Sequence, residues 1–233
     1  CMNAHWPKHK VWHKEQKELA KVFREGGLLD HTRSLAEAEA LHAERTGDEY
    51  DKRFAAALAQ MTEGDNDAEA KAWRKIIKQW PEEPGAYHNL ANVMVRSGRF
   101  VEAAAMYLKA MELYEDGTKE WAEAAASAFD TLKSPTCSEE PKPEWWNDEG
   151  LKALSAQAVA VAPDKAQPCA MRARVLSRGA LNTAPWSVGP RTAAEIKEAA
   201  TWYRRATLLT RTPSRKPRYE EHASWCDAYA DPL

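Results

Sequence analysis

Residues of matching size recur every 34 positions along this 233-residue chain, and no other feature constrains its fold as strongly. Gly64 and Gly98 are 34 apart, as are Trp73 with Tyr107 and Tyr87 with Trp121. Ala57, Ala91 and Ala125 keep the same step twice. A fixed period of about 20–50 residues marks an architecture in which one small supersecondary unit is stacked on copies of itself. The residue types say which unit. Alanine is the best helix former. Small residues let two helices approach closely, while aromatic residues fill the spaces at their ends and against the next pair.

The clearest unit is GAYHNLANVMVRSGRFVEAAAMYLKAMELYE, in which Tyr87, Leu90 and Ala91 mark a first helix. Gly98 ends that helix, Phe100 follows the turn, and Ala103, Tyr107 and Ala110 mark a second helix. This unit resembles the tetratricopeptide repeat. The resemblance implies an all-α, tetratricopeptide-like solenoid of antiparallel helix pairs, in which the aromatic and alanine positions belong to the scaffold.

The unit before it spans about Asp48 to Pro81, with Trp73 in the large position. Downstream, KEWAEAAASAFDTL reads as a first helix and about Asp148 to Ala162 as its partner, stopped by Pro163. Ala166 to Arg178 reads as the next first helix. Thr192 to Leu209 follows as its partner, repeating the small-large-small spacing as Ala199, Tyr203 and Ala206. Repeats are thus expected over 48–211, with inserted loops near 133–147 and 179–191 that exceed ordinary helix connections. Those loops read as surface decoration or as lining that helps choose a partner. Trp145, Trp146 and Trp186 are the residues to watch in them, with packing against the helices the expected use. A basic, proline-containing link (from TRTPSRKPR) and a capping helix, Tyr219 to Tyr229, fill 212–233. Residues 14–47 read as connecting helices, a degenerate repeat. One helix ends at Gly26-Gly27, and a second runs from about Thr32 to Arg45 with Asp30 as its cap.

The chain opens CMNAHWPKHKVWH. Cys1, Trp6, His9 and Lys10 are spaced as in the closing segment of the MYND-type zinc finger, which residues 1–13 resemble. Two positions depart from that pattern. Met2 stands for the usual glutamine, and His13 stands for the last cysteine. Zinc accepts cysteine sulfur and histidine nitrogen alike in tetrahedral sites, so His13 can still ligate. His9 and His13 are four apart and share one face of a helix. The resemblance implies two structural zinc ions, one served by Cys1 and the other by His9 with His13. Their remaining ligands are then expected upstream of residue 1, which makes residues 1–13 the C-terminal remnant of a finger. Two alternatives stay open: a helical adaptor without metal, and a bacterial lipoprotein anchored through Cys1.

Net charge is −2 at pH 7, which argues against nucleic-acid binding by bulk electrostatics. No run of 18 apolar residues occurs, so no membrane-spanning helix is expected, and residues 1–25 lack a signal peptide's apolar core. Cysteines 1, 137, 169 and 226 are too scattered for a disulfide scaffold. Cys137 reads as lying in an exposed loop and Cys169 as packed in a helix. The acidic pairs Glu82-Glu83 and Glu139-Glu140 read as solvated surface. There is no Gly-rich phosphate loop, GxSxG, HExxH or CxxC. A SET/MYND methyltransferase is a third reading, but helices over 14–50 leave no room for a SET core and no NHxCxPN-like segment occurs. The expected function is therefore a non-catalytic interaction scaffold, intracellular in the cytoplasm or nucleus. Its expected partners are proteins or peptides, proline-containing ones among them.

Overall fold

Every regular element of the computed structural model is helical among the residues it describes, 28–63, 65–177 and 190–230. In chain order these are α1 (Leu28–Thr46), α2 (Glu49–Glu63), α3 (Asn66–Gln79), α4 (Pro84–Arg96) and α5 (Phe100–Leu113). They continue as α6 (Lys119–Leu132), α7 (Asp148–Val161), α8 (Ala166–Leu176), α9 (Ala193–Leu209) and α10 (Lys216–Ala230). Short 3-10 turns cover Pro135–Cys137 and Pro213–Arg215. The all-α expectation holds. Residues 1–13, expected to be a zinc-finger remnant, the expected first connecting helix, and Trp186 lie outside the described residues.

The chain divides into two units at Ile76 and Ile77, within α3. In the first unit α1 packs on α2. The α1 helix begins at Leu28, so Asp30 falls inside its first turn and does not precede it as a cap. The Asp48 carboxylate accepts from the Tyr50 amide at 2.8 Å, closing the N-terminus of α2. Trp73 is fully buried, with the Phe54 ring edge-on at 5.0 Å and its own indole donating to Glu69 at 3.2 Å.

In the second unit, consecutive helices pack neighbour on neighbour from α4 through α10. The α4–α5 pair has the anatomy that its sequence predicts. Pro84 opens α4, where its missing N–H costs nothing. Gly98 turns the chain at φ +74°, a conformation that a side-chain-bearing residue adopts only under strain. Ala91 and Ala103 are fully buried. The Tyr87 hydroxyl donates to the Pro81 carbonyl at 3.0 Å, and the Tyr107 hydroxyl donates to Asn92 Oδ1 at 2.6 Å.

Beyond α5 the period lengthens. Ala91 and Ala125 are 34 apart, but Ala125 and the equivalent buried Ala173 are 48 apart. Tyr107, Ser155 and Tyr203 on α5, α7 and α9 also step by 48, each with a buried alanine three residues later. The added length after α6 is packed into the structure. Cys137, expected in an exposed loop, is fully buried with Ala104 and Leu132. Trp145 and Trp146 pack half-buried against that cluster, and the Trp146 ring lies 5.7 Å from Phe129. A Cβ on Gly150 would come within 2.6 Å of the Trp145 carbonyl oxygen, so only glycine fits beneath this loop. At the C-terminal end α10 begins at Lys216, earlier than the expected Tyr219, and much of the expected basic link is therefore helical.

Candidate partner-binding groove

Alanine dominates α6, yet four polar residues interrupt it on one face. Lys119, Glu123, Ser127 and Asp130 are spaced by four, four and three, which keeps them on a single stripe. Each meets a partner on or just before α8, and the partners rise in the same order. Lys119 reaches Asp164 at 2.6 Å, Lys165 reaches Glu123 at 2.9 Å, Ser127 donates to Gln167 at 3.4 Å, and Arg174 pairs with Asp130. That order means α6 and α8 run side by side in the same direction, as equivalent helices of successive repeats do.

The Tyr107 ring of α5 lies 5.2 Å from His88 of α4, edge to face. Burial, and then the Lys165 charge, push the His88 imidazole down to about 4, so it is neutral at physiological pH. Burial and the Asp130 carboxylate raise the Tyr107 hydroxyl above the ordinary phenol range.

At the far end, α10 packs on α9 and shares a buried cluster with α8. Lys133 approaches Asp130 at 3.1 Å, and the Arg174 guanidinium sits 5.7 Å above the Tyr219 ring. Burial works against the Asp130 carboxylate, but Arg174 and then Lys133 override it and hold the group well below the usual carboxylate range. Arg215 adds to that pull from the 3-10 turn before α10. His222, one turn beyond Tyr219's neighbour Arg218, lies 5.2 Å from the Tyr203 ring. Burial lowers its pKa, and the charges of Arg218, Arg174 and Lys133 add to the effect. Lys133, Arg174 and Arg215 thus act on Asp130, while Arg218 acts on Lys133 and His222, with Glu221 contributing a negative charge beside His222.

A second charged strip, across α7, α8 and α9, is balanced. Arg191 is 1 % exposed, pairs with Asp148 at 2.5 Å and donates to the Val175 carbonyl at 3.1 Å. Lys152 meets Glu195 at 2.6 Å, and Arg172 meets Glu198 at 3.0 Å. Sequence reasoning missed both strips. The α6 stripe carried a legible signal, polar residues at helical spacing in an alanine-rich helix. Arg191 carried none, because its partner lies 43 residues away.

The sequence-derived metal ligands Cys1, His9 and His13 lie outside the described residues. Among the described residues no group of three or more His, Cys, Asp or Glu is placed to hold a metal ion. Burial pushes the thiols of Cys169 and Cys226 up to about 11, which makes both poor nucleophiles. Among the described residues no helix is long and apolar enough to cross a membrane. The class these features define is an all-helical, repeat-like array with one balanced and one cation-rich strip. No protein-family model matches the chain, and a search of curated proteins finds no relative of it.

Proposed function

We propose that this chain is a non-catalytic protein–protein interaction scaffold. In this reading a tetratricopeptide-like array holds a peptide segment along the α6–α8 strip, and a MYND-type zinc finger ends on Cys1, His9 and His13. The observation that carries the reading is the row of polar pairs from Lys119–Asp164 to Asp130–Arg174. Exposed pairs such as Lys119 with Asp164 contribute little to stability, about 0–1 kcal/mol, so they are better understood as surface chemistry than as structure. Parallel neighbouring helices with outward polar side chains offer a peptide regularly spaced donors and acceptors.

The finger's zinc is structural in this reading, because protein fills all four positions on each ion. Residues of the finger and the array together would engage protein or peptide partners, proline-containing peptides being the class that the finger resemblance favours. Sparse cysteines and zinc-bound thiolates suit a reducing intracellular compartment, cytoplasm or nucleus.

A peptide-array screen with the purified chain tests the array. Captured peptides should lose at least about tenfold in affinity with Lys119→Glu combined with Glu123→Arg, which reverse the charge at two positions of the strip that reach solvent. A chain that captures no peptide, or a double variant that binds unchanged, removes the reading. Metal analysis of the protein as its cell makes it tests the finger: two zinc ions per chain are expected, and none would remove it.

A further inference from the structure

The polar row changes character at its α10 end, and the change points to the chemistry of what binds there. Along most of the row each charge has an opposite partner. Where α10 begins, Lys133 just after α6 and Arg174 of α8 share the single carboxylate of Asp130, and Arg215 and Arg218 of the α10 entry add two exposed cations whose charges reach Asp130 and Lys133. Three contacts fix the place: Lys133 with Asp130 at 3.1 Å, Arg174 with Asp130, and Arg174 over Tyr219 at 5.7 Å. Arg215 lies four residues before Tyr219 and Arg218 four before His222, so both arginines flank the face of the α10 entry that carries these two rings. Both are exposed and make no ion pair among the described residues. The α7–α9 strip, which shares α8 with it, pairs all three of its cations. The surplus is therefore local and not a general property of a chain whose net charge is −2.

We propose that this end of the strip binds an acidic peptide, a run of aspartate or glutamate side chains held by Lys133, Arg174, Arg215 and Arg218. The inference rests on the reading of the strip as a peptide site and names the partner's chemistry. Guanidinium groups present a planar fork that matches a carboxylate. A fixed excess of cations beside a low-dielectric wall attracts such side chains over distance. A nucleic acid would want exposed rings on which to stack its bases, but the aromatic residues here, Tyr203 and Tyr219, are buried in the core.

Fluorescence polarisation on the full chain tests the proposal with three labelled probes: octa-glutamate, octa-lysine and an eight-nucleotide uridine RNA. Octa-glutamate should bind at least about tenfold more tightly than either other probe, and more weakly as salt rises. Arg215→Glu with Arg218→Glu should abolish its binding, and Arg215→Gln with Arg218→Gln should weaken it by about tenfold. Both side chains are exposed, so melting curves should show these variants folded. Equal binding of octa-lysine, tighter binding of the RNA, or unchanged affinity in both variants overturns the proposal. If arrayed peptides bind but octa-glutamate does not, the acidic assignment fails alone. If no peptide binds, the scaffold reading fails with it.

Discussion

The α7–α9 strip and the α6–α8–α10 strip draw on the same residue types and share a helix, yet they settle their charges differently. In the first, three cations (Arg191, Lys152 and Arg172) are matched by three carboxylates (Asp148, Glu195 and Glu198). In the second, Lys133 and Arg174 share Asp130, and the exposed Arg215 and Arg218 add to the surplus. A balanced strip can be buried, because each charge is compensated when water leaves, and Arg191 is indeed 1 % exposed. In the unbalanced strip the surplus lies on Arg215 and Arg218, which are exposed and so available to a partner. The difference separates charges that hold helices together from charges that meet something else.

The comparison breaks first at Arg191. Arg191→Ala should cost about 3–5 kcal/mol in urea unfolding, because it leaves the Asp148 carboxylate and the Val175 carbonyl without their donor. A cost below about 1 kcal/mol would show the balanced strip to be ordinary surface.

Titration sharpens it next, because the two units of the chain respond to pH with opposite signs. Burial, then the nearby Asp51 charge, push Glu39 in the first unit up to about 8 from an ordinary 4.5. The folded state then keeps a proton that the unfolded chain releases, so stability falls as pH rises from about 4.5 to about 8. Glu39→Gln should recover that loss, at about 1.4 kcal/mol per pKa unit, in melts at pH 9. In the second unit, His88 (down to about 4) and Asp130 (depressed) work the other way. Their contribution is present above the unfolded values of 6.5 and 3.8 and is lost as pH falls. His88→Phe should flatten the stability profile between about pH 6.5 and 4, and an unchanged profile would rule out a buried neutral imidazole.

Gly150→Ala asks whether the loop after α6 fixes the start of α7 and thus the position of Asp148. The added methyl collides with the Trp145 backbone, for a cost of about 1–3 kcal/mol and a red shift in tryptophan emission. The smallest effect belongs to the unbalanced strip. Arg215→Glu with Arg218→Glu should move stability by no more than about 0.5 kcal/mol, as exposed residues without structural partners do. A larger loss would mean that the surplus cations hold α10 in place.

Much of the helical order was legible from neighbours in sequence. The α4–α5 pair follows from Tyr87, Ala91, Gly98, Ala103 and Tyr107, because each acts on residues within a turn or on its immediate antiparallel partner. The helix expected from Thr192 to Leu209 is α9, and Thr192 proves to be its cap, with its side chain accepting from the Glu195 amide at 3.2 Å. Asp30 misled, because an aspartate tolerated in a first helical turn looks the same in sequence as one that caps it. Cys137 misled as well. Its proline- and acid-rich surroundings read as solvated loop, but it packs on Ala104 of α5 and Leu132 of α6, with Trp145 and Trp146 against the cluster. The finger residues Cys1, His9 and His13 rest on spacing alone.

What the sequence determined by itself is local: helix content, most helix ends, and the small and large positions at which pairs pack. These depend on contacts across about one turn, which a string of residues records directly. The tertiary structure decided which distant charges meet. Asp148 finds Arg191 across 43 residues and Asp130 finds Arg174 across 44 because inserted loops stretch the period while stacking still sets equivalent helices side by side. Charge compensation is a property of that stacking, and so the balanced and unbalanced strips exist only once the helices are packed.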